Sequence, residues 1–187
     1  YRFDLTTPNR EFKDIFFNQM GIHNVSNALG ALAMADQAGI DINKSLLALE
    51  SFPGVYRRMN LYRWRDIVII DDYAHHPSEI DSVFKTIKTF YPKQKNCVVF
   101  QPHLFSRTRD FMNDFKTTLS KFDEVILMDI YPAREEPIKG VNAKILFDGI
   151  SHTNKEYIDK NKIKKILKSS NADVFALLGA GDIGEEV

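Results

Sequence analysis

Short runs of apolar residues alternate along most of the chain with stretches in which apolar residues recur every three or four positions. The apolar runs cover residues 67–70, 97–100, 125–130 and 174–178, with a weaker one at 156–158. Near-continuous apolar runs of this length are typical of strands buried on both faces of a sheet. We therefore predict a strand in each of these segments.

The stretches between these strands have the periodicity of amphipathic helices. Their apolar positions fall into three groups: Ile80, Val83, Phe84 and Ile87; Phe111, Phe115, Leu119 and Phe122; Ile163, Ile166 and Leu167. Alternating strands and helices predict an α/β fold with a Rossmann-like, mostly parallel sheet covered on both sides. Residues 59–65 indicate a hairpin partner for the first strand, so we expect one antiparallel edge strand.

Residues 1–52 have a different pattern. Two short extended stretches flank the turn-forming Thr7-Pro8-Asn9, which predicts a hairpin. A helix rich in small residues should end near Gly39, and Asp41 can cap a second helix. A Pro-Gly pair then interrupts the pattern, and we place a domain boundary there, between residues 1–52 and 53–187.

Composition excludes several classes of protein. Of 187 residues, 44% are hydrophobic, which is enough for the core of one domain or of one domain and part of another. Lys+Arg and Asp+Glu both number 25, so the charge gives no general reason to bind nucleic acid or an anionic membrane. The single cysteine, Cys97, agrees with a reducing, cytoplasmic compartment. The first residue is Tyr1 rather than Met, and we treat the chain as a fragment.

Polar residues with useful chemistry follow each predicted strand. In open parallel sheets, ligands bind beyond the carboxyl ends of the strands. The segments at these ends are residues 71–77, 101–108, 131–137 and 179–184, and they contain carboxylates, imidazoles and guanidiniums. We therefore expect a site for a polar, partly anionic ligand at one rim of the sheet.

The first of these segments reads Asp71-Asp72-Tyr73-Ala74-His75-His76-Pro77. Proline suits the first turn of a helix, so the histidines should flank a helix N-terminus, which favours an anion. Metal ligation by the acids and histidines is an alternative, although the spacing differs from the usual i, i+4 pair. A further alternative is that His76 only caps or packs against the helix.

Arginines and asparagines supply the other candidates. Arg107 and Arg109 can bind phosphate or carboxylate, or can pair with Asp110 or Asp114 at the surface. Either arginine at the domain junction, Arg57 or Arg58, can reach a nucleotide held by the other domain or form a surface salt bridge. The Asn24 and Asn27 side chains can hold an adenine edge or cap a helix.

The last segment spells Gly-x-Gly-x-x-Gly at residues 179–184. A dinucleotide-binding fingerprint opens a βαβ unit and has an acidic residue about 20 positions later. Only a few residues follow here, so we expect a tight turn rather than an NAD site.

In order along the chain, five segments resemble the Mur ligases, and together they cover nearly the whole sequence. They are Gly21-Ile22-His23-Asn24…Asn27-Ala28-Leu29, Phe52…Gly54-Val55…Arg57-Arg58, Asp71 to Pro77, Phe100-Gln101-Pro102-His103…Ser106-Arg107-Thr108, and Gly179-Ala180-Gly181-Asp182-Ile183. The resemblance implies three domains: a UDP-sugar-binding domain, a central P-loop ATPase and a C-terminal Rossmann-like domain. Residues 1–52 would then be a fragment of the α/β P-loop ATPase domain, and residues 53–187 the C-terminal domain.

The resemblance also implies a reaction. The block that contains His103 and Arg107 favours the member that adds L-alanine to UDP-N-acetylmuramate over the member that recycles murein tripeptide. Such a ligase uses ATP and Mg²⁺, forms an acyl phosphate on the muramate carboxylate and lets the amine of L-alanine attack it. Mg²⁺ would be bound mainly by other parts of the protein, so we expect no metal ligand in this chain. The oligomeric state is not indicated.

By the same resemblance, residues of both predicted domains are expected to bind ATP or the substrates. Asn24 and Asn27 would contact adenine, and Arg58 and Asp72 would reach the phosphates and ribose of ATP. The substrate and the amino acid would be lined by Tyr73, His75, His103 and Arg107. His75 and His103 are the catalytic candidates, because a histidine can assist deprotonation of the ammonium group. At position 104, many members have arginine where this sequence has leucine.

Three rival functions remain open at this stage. One is a stand-alone Rossmann-like module that binds a nucleotide or an amino acid. Another is an oxidoreductase that uses the glycine motif to bind NAD. The third is a metal-dependent hydrolase that uses Asp71, Asp72, His75, His76 and His103, for which tight, stoichiometric zinc or manganese would be the mark.

A first prediction concerns the chain by itself. Nowhere does the sequence contain Gly-x-x-x-x-Gly-Lys-[Ser/Thr], the loop whose backbone and lysine cradle phosphates. We expect the 187-residue chain to fold but not to turn over ATP. Calorimetry with ATP and Mg²⁺, together with a phosphate-release assay, tests this; phosphate release by the chain alone would contradict it.

Overall fold

The chain divides into two units after Tyr56 in this computed structural model, which describes residues 1–186. In the first unit, strands β1 (Arg2–Thr6) and β2 (Glu11–Phe16) pair as an antiparallel hairpin. Helices α1 (Ile22–Gln37) and α2 (Ile42–Glu50) follow. The Asp41 carboxylate caps α2 by accepting from the Asn43 N–H at 2.8 Å, as the sequence predicted. The hairpin and helices share a small apolar core formed by Leu5, Ile15, Leu32 and Ile42.

The second unit, from Arg57 onward, is built on a six-stranded sheet. Its strands are β3 (Asn60–Trp64), β4 (Ile67–Asp72), β5 (Asn96–Phe100), β6 (Glu124–Leu127), β7 (Lys155–Tyr157) and β8 (Val174–Leu178). They are arranged in the order β3-β4-β8-β5-β6-β7. Only the β3–β4 pair is antiparallel among these. The predicted fold class, an α/β fold with a mostly parallel sheet and one antiparallel edge strand, is confirmed.

Helices cover both faces of this sheet. On one face, Phe100 of β5 packs against Phe115, at a centroid distance of 5.3 Å, in helix α5 (Met112–Leu119). Beside α5 lie α3 (Pro77–Phe90) and α6 (Ala143–Gly149). On the other face, Val99 and Phe175 belong to one buried cluster with Ile163 and Ile166 of α7 (Ile163–Ser169). Neighbouring residues of a strand point to opposite faces, so both helical layers draw on every central strand.

The register of the parallel strands brings their carboxyl ends to one level. Although β8 is the last strand in the sequence, it lies between β4 and β5, with Leu178 paired to Asp72 on one side and to Phe100 on the other. Phe100 is paired in turn with Leu127 of β6. The loops that follow these four strands therefore start side by side.

Some predicted elements differ in extent. The strand expected over residues 125–130 ends at Leu127, because Pro102 on the neighbouring segment has no N–H to continue the ladder. Instead, the Tyr131 N–H donates to the Pro102 carbonyl at 2.8 Å. The helical period from Phe111 to Phe122 also divides: Phe111 is a non-helical joint between α4 (Phe105–Asp110) and α5.

Helix α6 was not predicted from the sequence. Its seven residues bury only Ala143 and Leu146, too few apolar positions to reveal a helical period. The signal that could have found it is Asn142, whose side chain caps the helix by accepting from the Ile145 N–H at 2.9 Å.

A buried arginine connects the start of the second unit with the carboxyl edge of the sheet. Arg57 is 8% exposed, and its Nε lies 3.3 Å from Oδ1 of Asp71. The Nη1 and Nη2 groups donate to the carbonyls of Gly181 and Gly179 at 2.7 and 2.5 Å. Burial raises the pKa of Asp71, and the Arg57 guanidinium opposes that rise. The surface salt bridge considered for Arg57 is therefore wrong, because both partners are buried.

This buried pair generates a stability prediction. Arg57→Ala leaves the Asp71 carboxyl and two carbonyls without their donors, so we expect the free energy of unfolding to fall by about 3–5 kcal/mol. Urea denaturation followed by fluorescence of the single tryptophan, Trp64 in β3, reports on this unit. The matched control is Arg63→Ala on the exposed side of β3. A loss for Arg57→Ala no larger than for Arg63→Ala would contradict the role of the buried guanidinium.

Candidate functional site

Four aromatic rings form a row at the carboxyl edge of the sheet: Tyr73, His75, His103 and Tyr131. Centroid distances between successive rings are 5.4, 5.9 and 5.7 Å. Arg107 joins the row through His103, since its Nη1 lies 3.3 Å from the histidine Nδ1. We call these five residues the rim cluster. The structure thus brings together Tyr73, His75, His103 and Arg107, which the sequence had named as site residues.

The position of His75 is fixed by the start of helix α3. His76 is the N-cap residue, and its Nδ1 accepts from the Ser78 N–H at 3.3 Å. Glu79 completes a capping box, with Oε2 accepting from the N–H groups of His75 and His76 at 2.8 and 3.0 Å. The structural role considered for His76 is confirmed, and the backbone that carries His75 is held on both sides.

Hydrogen bonds determine the tautomer of His75. Its Nδ1 lies 2.8 Å from the carbonyl oxygen of Tyr73. A carbonyl oxygen can only accept, so Nδ1 must carry the proton. In the neutral ring, Nε2 then has the free lone pair and can accept a proton.

His103 has the opposite tautomer. A guanidinium can only donate, so Nδ1 of His103 must accept from Arg107, which leaves the proton on Nε2. The pKa of His103 is lowered, first by burial and then by the positive charge of Arg107, with His75 and Arg134 acting in the same direction. Glu135 opposes this shift. The rim cluster therefore combines a ring that can accept a proton, a neutral ring that can donate a hydrogen bond, and a guanidinium.

The backbone between His103 and Arg107 is unusual at Leu104. This residue has φ of 72°, in the left-handed region that side chains other than glycine seldom adopt. Its N–H donates to the Tyr131 carbonyl at 3.0 Å, and its carbonyl accepts from the Thr108 hydroxyl at 2.8 Å. Leu104 thus turns the chain sharply from β5 into α4 and brings Arg107 back over His103.

The two residues expected to reach ATP from this unit lie near the rim cluster but differ in setting. Arg58 is exposed, and its guanidinium carbon lies 5.5 Å from the centre of the Tyr73 ring. Asp72 is 6% exposed and accepts from the N–H groups of Met59 and Ala74 at 2.8 and 2.7 Å. These contacts give Asp72 a part in shaping the turn after β4.

Asn24 and Asn27 lie in the first unit, on helix α1. The Asn24 amide donates to the Met20 carbonyl at 2.7 Å, and the Asn27 amide lies 3.4 Å from Oδ1 of Asn24. Asn27 is exposed. The residue before α1 is Gly21, which has no side chain to cap the helix.

The geometry bears on three alternatives: a surface ion pair of Arg109, a tight turn at the glycine segment and a metal site. Arg109 pairs with Asp110 at 2.7 Å, which is the surface pairing considered for it. The glycine segment packs tightly around its neighbours: a Cβ at Gly179 would lie 2.8 Å from the Gln101 carbonyl oxygen. Within residues 1–186, no group of three or more His, Cys, Asp or Glu side chains is placed to hold a metal ion.

Sequence reasoning assigned no role to two residues of the loop after β6. Tyr131 stacks on His103 with an interplanar angle of 13°, and Glu135 accepts two hydrogen bonds from Ser106 at the start of α4. Their position directly after an apolar strand was the available signal. The segments taken one at a time do not reveal that the loops after β5 and β6 touch, because this contact follows from the pairing of β5 with β6.

This combination of fold and site defines a class of protein. The model of the domain described as "Mur ligase, glutamate ligase domain" matches residues 57–181. The chain therefore belongs to the Mur ligase family.

The chain is similar over its whole length to curated ligases, and over nearly all of its length to a solved one. The whole chain is 52% identical to the UDP-N-acetylmuramate–L-alanine ligase of Christiangramia forsetii and 50% identical to that of Flavobacterium psychrophilum. It spans 42% of the length of each of these relatives. The solved UDP-N-acetylmuramate-alanine ligase of Thermotoga maritima matches 94% of the chain with a TM-score of 0.75 and 30% identity, over 38% of that structure.

More distant structures share the fold alone. Folylpolyglutamate synthase from Thermotoga maritima matches 94% of the chain, over 40% of its own, with a TM-score of 0.70 at 19% identity. Separately, the helices of residues 1–186 include none with the length and apolar character needed to cross a lipid bilayer.

The charge arrangement around His103 yields a prediction that does not depend on enzymatic activity. Because Arg107 lowers the pKa of His103, Arg107→Gln should raise it. The charged groups that remain around His103 are His75, Arg134 and Glu135. Histidine proton resonances followed by NMR across pH 4.5–8.5 measure this shift, and we expect the His103 midpoint to move to higher pH when the neighbouring positive charge is lost. Arg109→Gln is the control, and an equal His103 titration in both variants would contradict the assigned contact.

Proposed function

We propose that this chain is the amino-acid-binding part of a cytoplasmic, ATP-dependent ligase that joins L-alanine to UDP-N-acetylmuramate in peptidoglycan precursor synthesis. The observation that carries the proposal is the rim cluster, found in a member of the Mur ligase family that is 52% identical to such a ligase. On this proposal, residues 53–187 are the C-terminal domain, and residues 1–52 are the end of the central ATP-binding domain.

The reaction requires little covalent chemistry from the protein. The muramate carboxylate attacks the γ-phosphate of ATP to form an acyl phosphate and ADP. The amine of L-alanine then attacks the acyl carbon, and the tetrahedral intermediate expels inorganic phosphate. Positioning and charge stabilisation provide most of the catalysis in such steps. We propose that ATP and Mg²⁺ are bound mainly by residues of the ligase outside this chain.

The rim cluster fits an amino acid, which has one anionic and one ammonium end. The Arg107 guanidinium can hold the α-carboxylate through charge-assisted hydrogen bonds, and the Nε2–H of His103 can add a neutral one. The free Nε2 of His75 can take the proton that the ammonium must lose before it attacks. Tyr73, half exposed beside His75, would line the same ligand.

Nucleotide contacts form the other half of the proposal. Arg58 is exposed beside Tyr73, so its guanidinium is available for a phosphate of ATP. Asp72 is buried, and it would either contact the ribose of ATP or shape the nucleotide site by holding the turn after β4. Asn24 and Asn27 would meet the adenine edge from helix α1.

One related function has weaker support. The solved murein peptide ligase of Psychrobacter arcticus matches 92% of the chain, over 37% of its own, with a TM-score of 0.63 but 22% identity, which shows the fold alone. Several L-alanine-adding relatives, in contrast, are 40–52% identical to this chain. L-Alanine is therefore the amino acid that we propose.

Kinetics of the full-length ligase test the assignment. Arg107→Ala should raise the KM for L-alanine by about 10- to 150-fold, the loss expected for a charged hydrogen-bonding partner worth about 1.5–3 kcal/mol. The KM for ATP should change little. His75→Gln should lower kcat by about 100-fold or more if it accepts the ammonium proton. Arg109→Ala, which removes an exposed arginine paired with Asp110, is the control. An unchanged KM for L-alanine in Arg107→Ala would reject the proposed amino-acid site.

A further inference from the structure

We propose that Glu135 is a positioning residue: its carboxylate holds the first turn of α4 in place and thereby sets where Arg107 and His103 meet the amino acid. Glu135 belongs to the loop after β6, whereas His103 and Arg107 belong to the segment after β5. The contacts that support this are independent of the reaction. The consequence for L-alanine rests on the proposed function.

Both carboxylate oxygens of Glu135 are used on a single residue of α4. Oε2 accepts from the Ser106 N–H at 2.9 Å, and Oε1 accepts from the Ser106 hydroxyl. These two hydrogen bonds lower the pKa of Glu135, with a smaller contribution from the Phe105 N–H. The carboxylate is therefore ionised at neutral pH and satisfies backbone donors that the first turn of a helix leaves without partners.

Helix α4 is short, and a carboxylate bound to its first turn helps to hold it. It has six residues, a length at which an isolated helix is unstable in water. Leu104, directly before it, has the unfavourable φ of 72°, which persists only when the surroundings enforce it. Two of the contacts that hold this turn come from the loop after β6: the Leu104 N–H donates to the Tyr131 carbonyl, and the Ser106 N–H donates to Glu135.

The position of Ser106 makes this anchor relevant to the rim cluster. Ser106 directly precedes Arg107, and Arg107 reaches back four residues to Nδ1 of His103 at 3.3 Å. A shift of the first turn would therefore move the guanidinium and break the contact that fixes the His103 tautomer. A misplacement of about 1 Å in a substrate-holding group can cost 100-fold in rate.

Glu135 has a second physical effect that must be separated from anchoring. Its negative charge raises the pKa of His103, against the lowering by Arg107, His75 and Arg134. A carboxylate close to Arg107 also reduces the attraction of the guanidinium for an incoming carboxylate. If charge alone mattered, removing Glu135 would strengthen binding of L-alanine; if anchoring dominates, removal weakens it.

Two substitutions separate the effects. Glu135→Gln keeps an oxygen that can accept from the Ser106 N–H but removes the charge, whereas Glu135→Ala removes both. In the full-length ligase, we expect Glu135→Ala to raise the KM for L-alanine by about tenfold or more, and Glu135→Gln to stay within about threefold of the parent. Ser106→Ala should resemble Glu135→Ala in direction, and the double variant should be no worse than Glu135→Ala, because both act through one contact.

The matched control is Glu136→Ala, which removes the exposed neighbouring carboxylate. Its KM for L-alanine and its thermal midpoint should equal those of the parent. A tighter KM for L-alanine in Glu135→Ala, or equal effects of Glu135→Ala and Glu136→Ala, overturns the positioning role.

Amide hydrogen exchange at Ser106 separates a failure of this inference from a failure of the proposed function. Loss of its acceptor should speed exchange of the Ser106 amide in Glu135→Ala and leave amides of β5 unchanged. Unchanged exchange at Ser106 overturns the anchor whatever the kinetics show. Faster exchange together with an unaltered KM for L-alanine in Glu135→Ala overturns the positioning role. If Arg107→Ala also leaves that KM unaltered, the proposed amino-acid site fails as well, while the anchor itself stands.

Discussion

The buried guanidinium of Arg57 is the contact on which the rest of the second unit depends. Its donors reach Asp71 at the end of β4 and two carbonyls of the glycine segment after β8. A buried charge is tolerated only when it is paired and its hydrogen-bonding groups are used, and the Asp71 carboxylate and these carbonyls meet that requirement. The arginine thereby fixes two neighbouring loops at the edge of the sheet, one of which begins with Tyr73.

At this edge of the sheet, hydrogen-bond partners rather than unusual residues determine the chemistry of the rim cluster. His75 and His103 have the same side chain, yet a carbonyl oxygen on one Nδ1 and a guanidinium on the other give them opposite tautomers. The sequence provided two histidines with interchangeable roles. The neighbours make one a proton acceptor and the other a neutral donor, a division that suits a ligand with an ammonium and a carboxylate end.

The loops that carry these groups are held by one another. The segment after β5 contains a leucine in the left-handed region and a helix of six residues. Both are hydrogen-bonded to the segment after β6, the leucine through Tyr131 and the helix through Glu135. In this chain Leu104 contributes backbone shape, and Arg107 is the guanidinium of this segment that contacts His103.

The sequence by itself determined the architecture, because strands buried on both faces have near-continuous apolar runs. The helices that cover them have apolar residues at a period of 3.6. The ends of the predicted strands also indicated which segments form the rim, and the resemblance to the Mur ligases indicated Tyr73, His75, His103 and Arg107 within them. Tertiary structure alone decided that Arg57 is buried, that β8 inserts between β4 and β5, and that Glu135 meets Ser106. These features depend on which strands are neighbours and on which donors face which acceptors, and neither is encoded in local residue spacing.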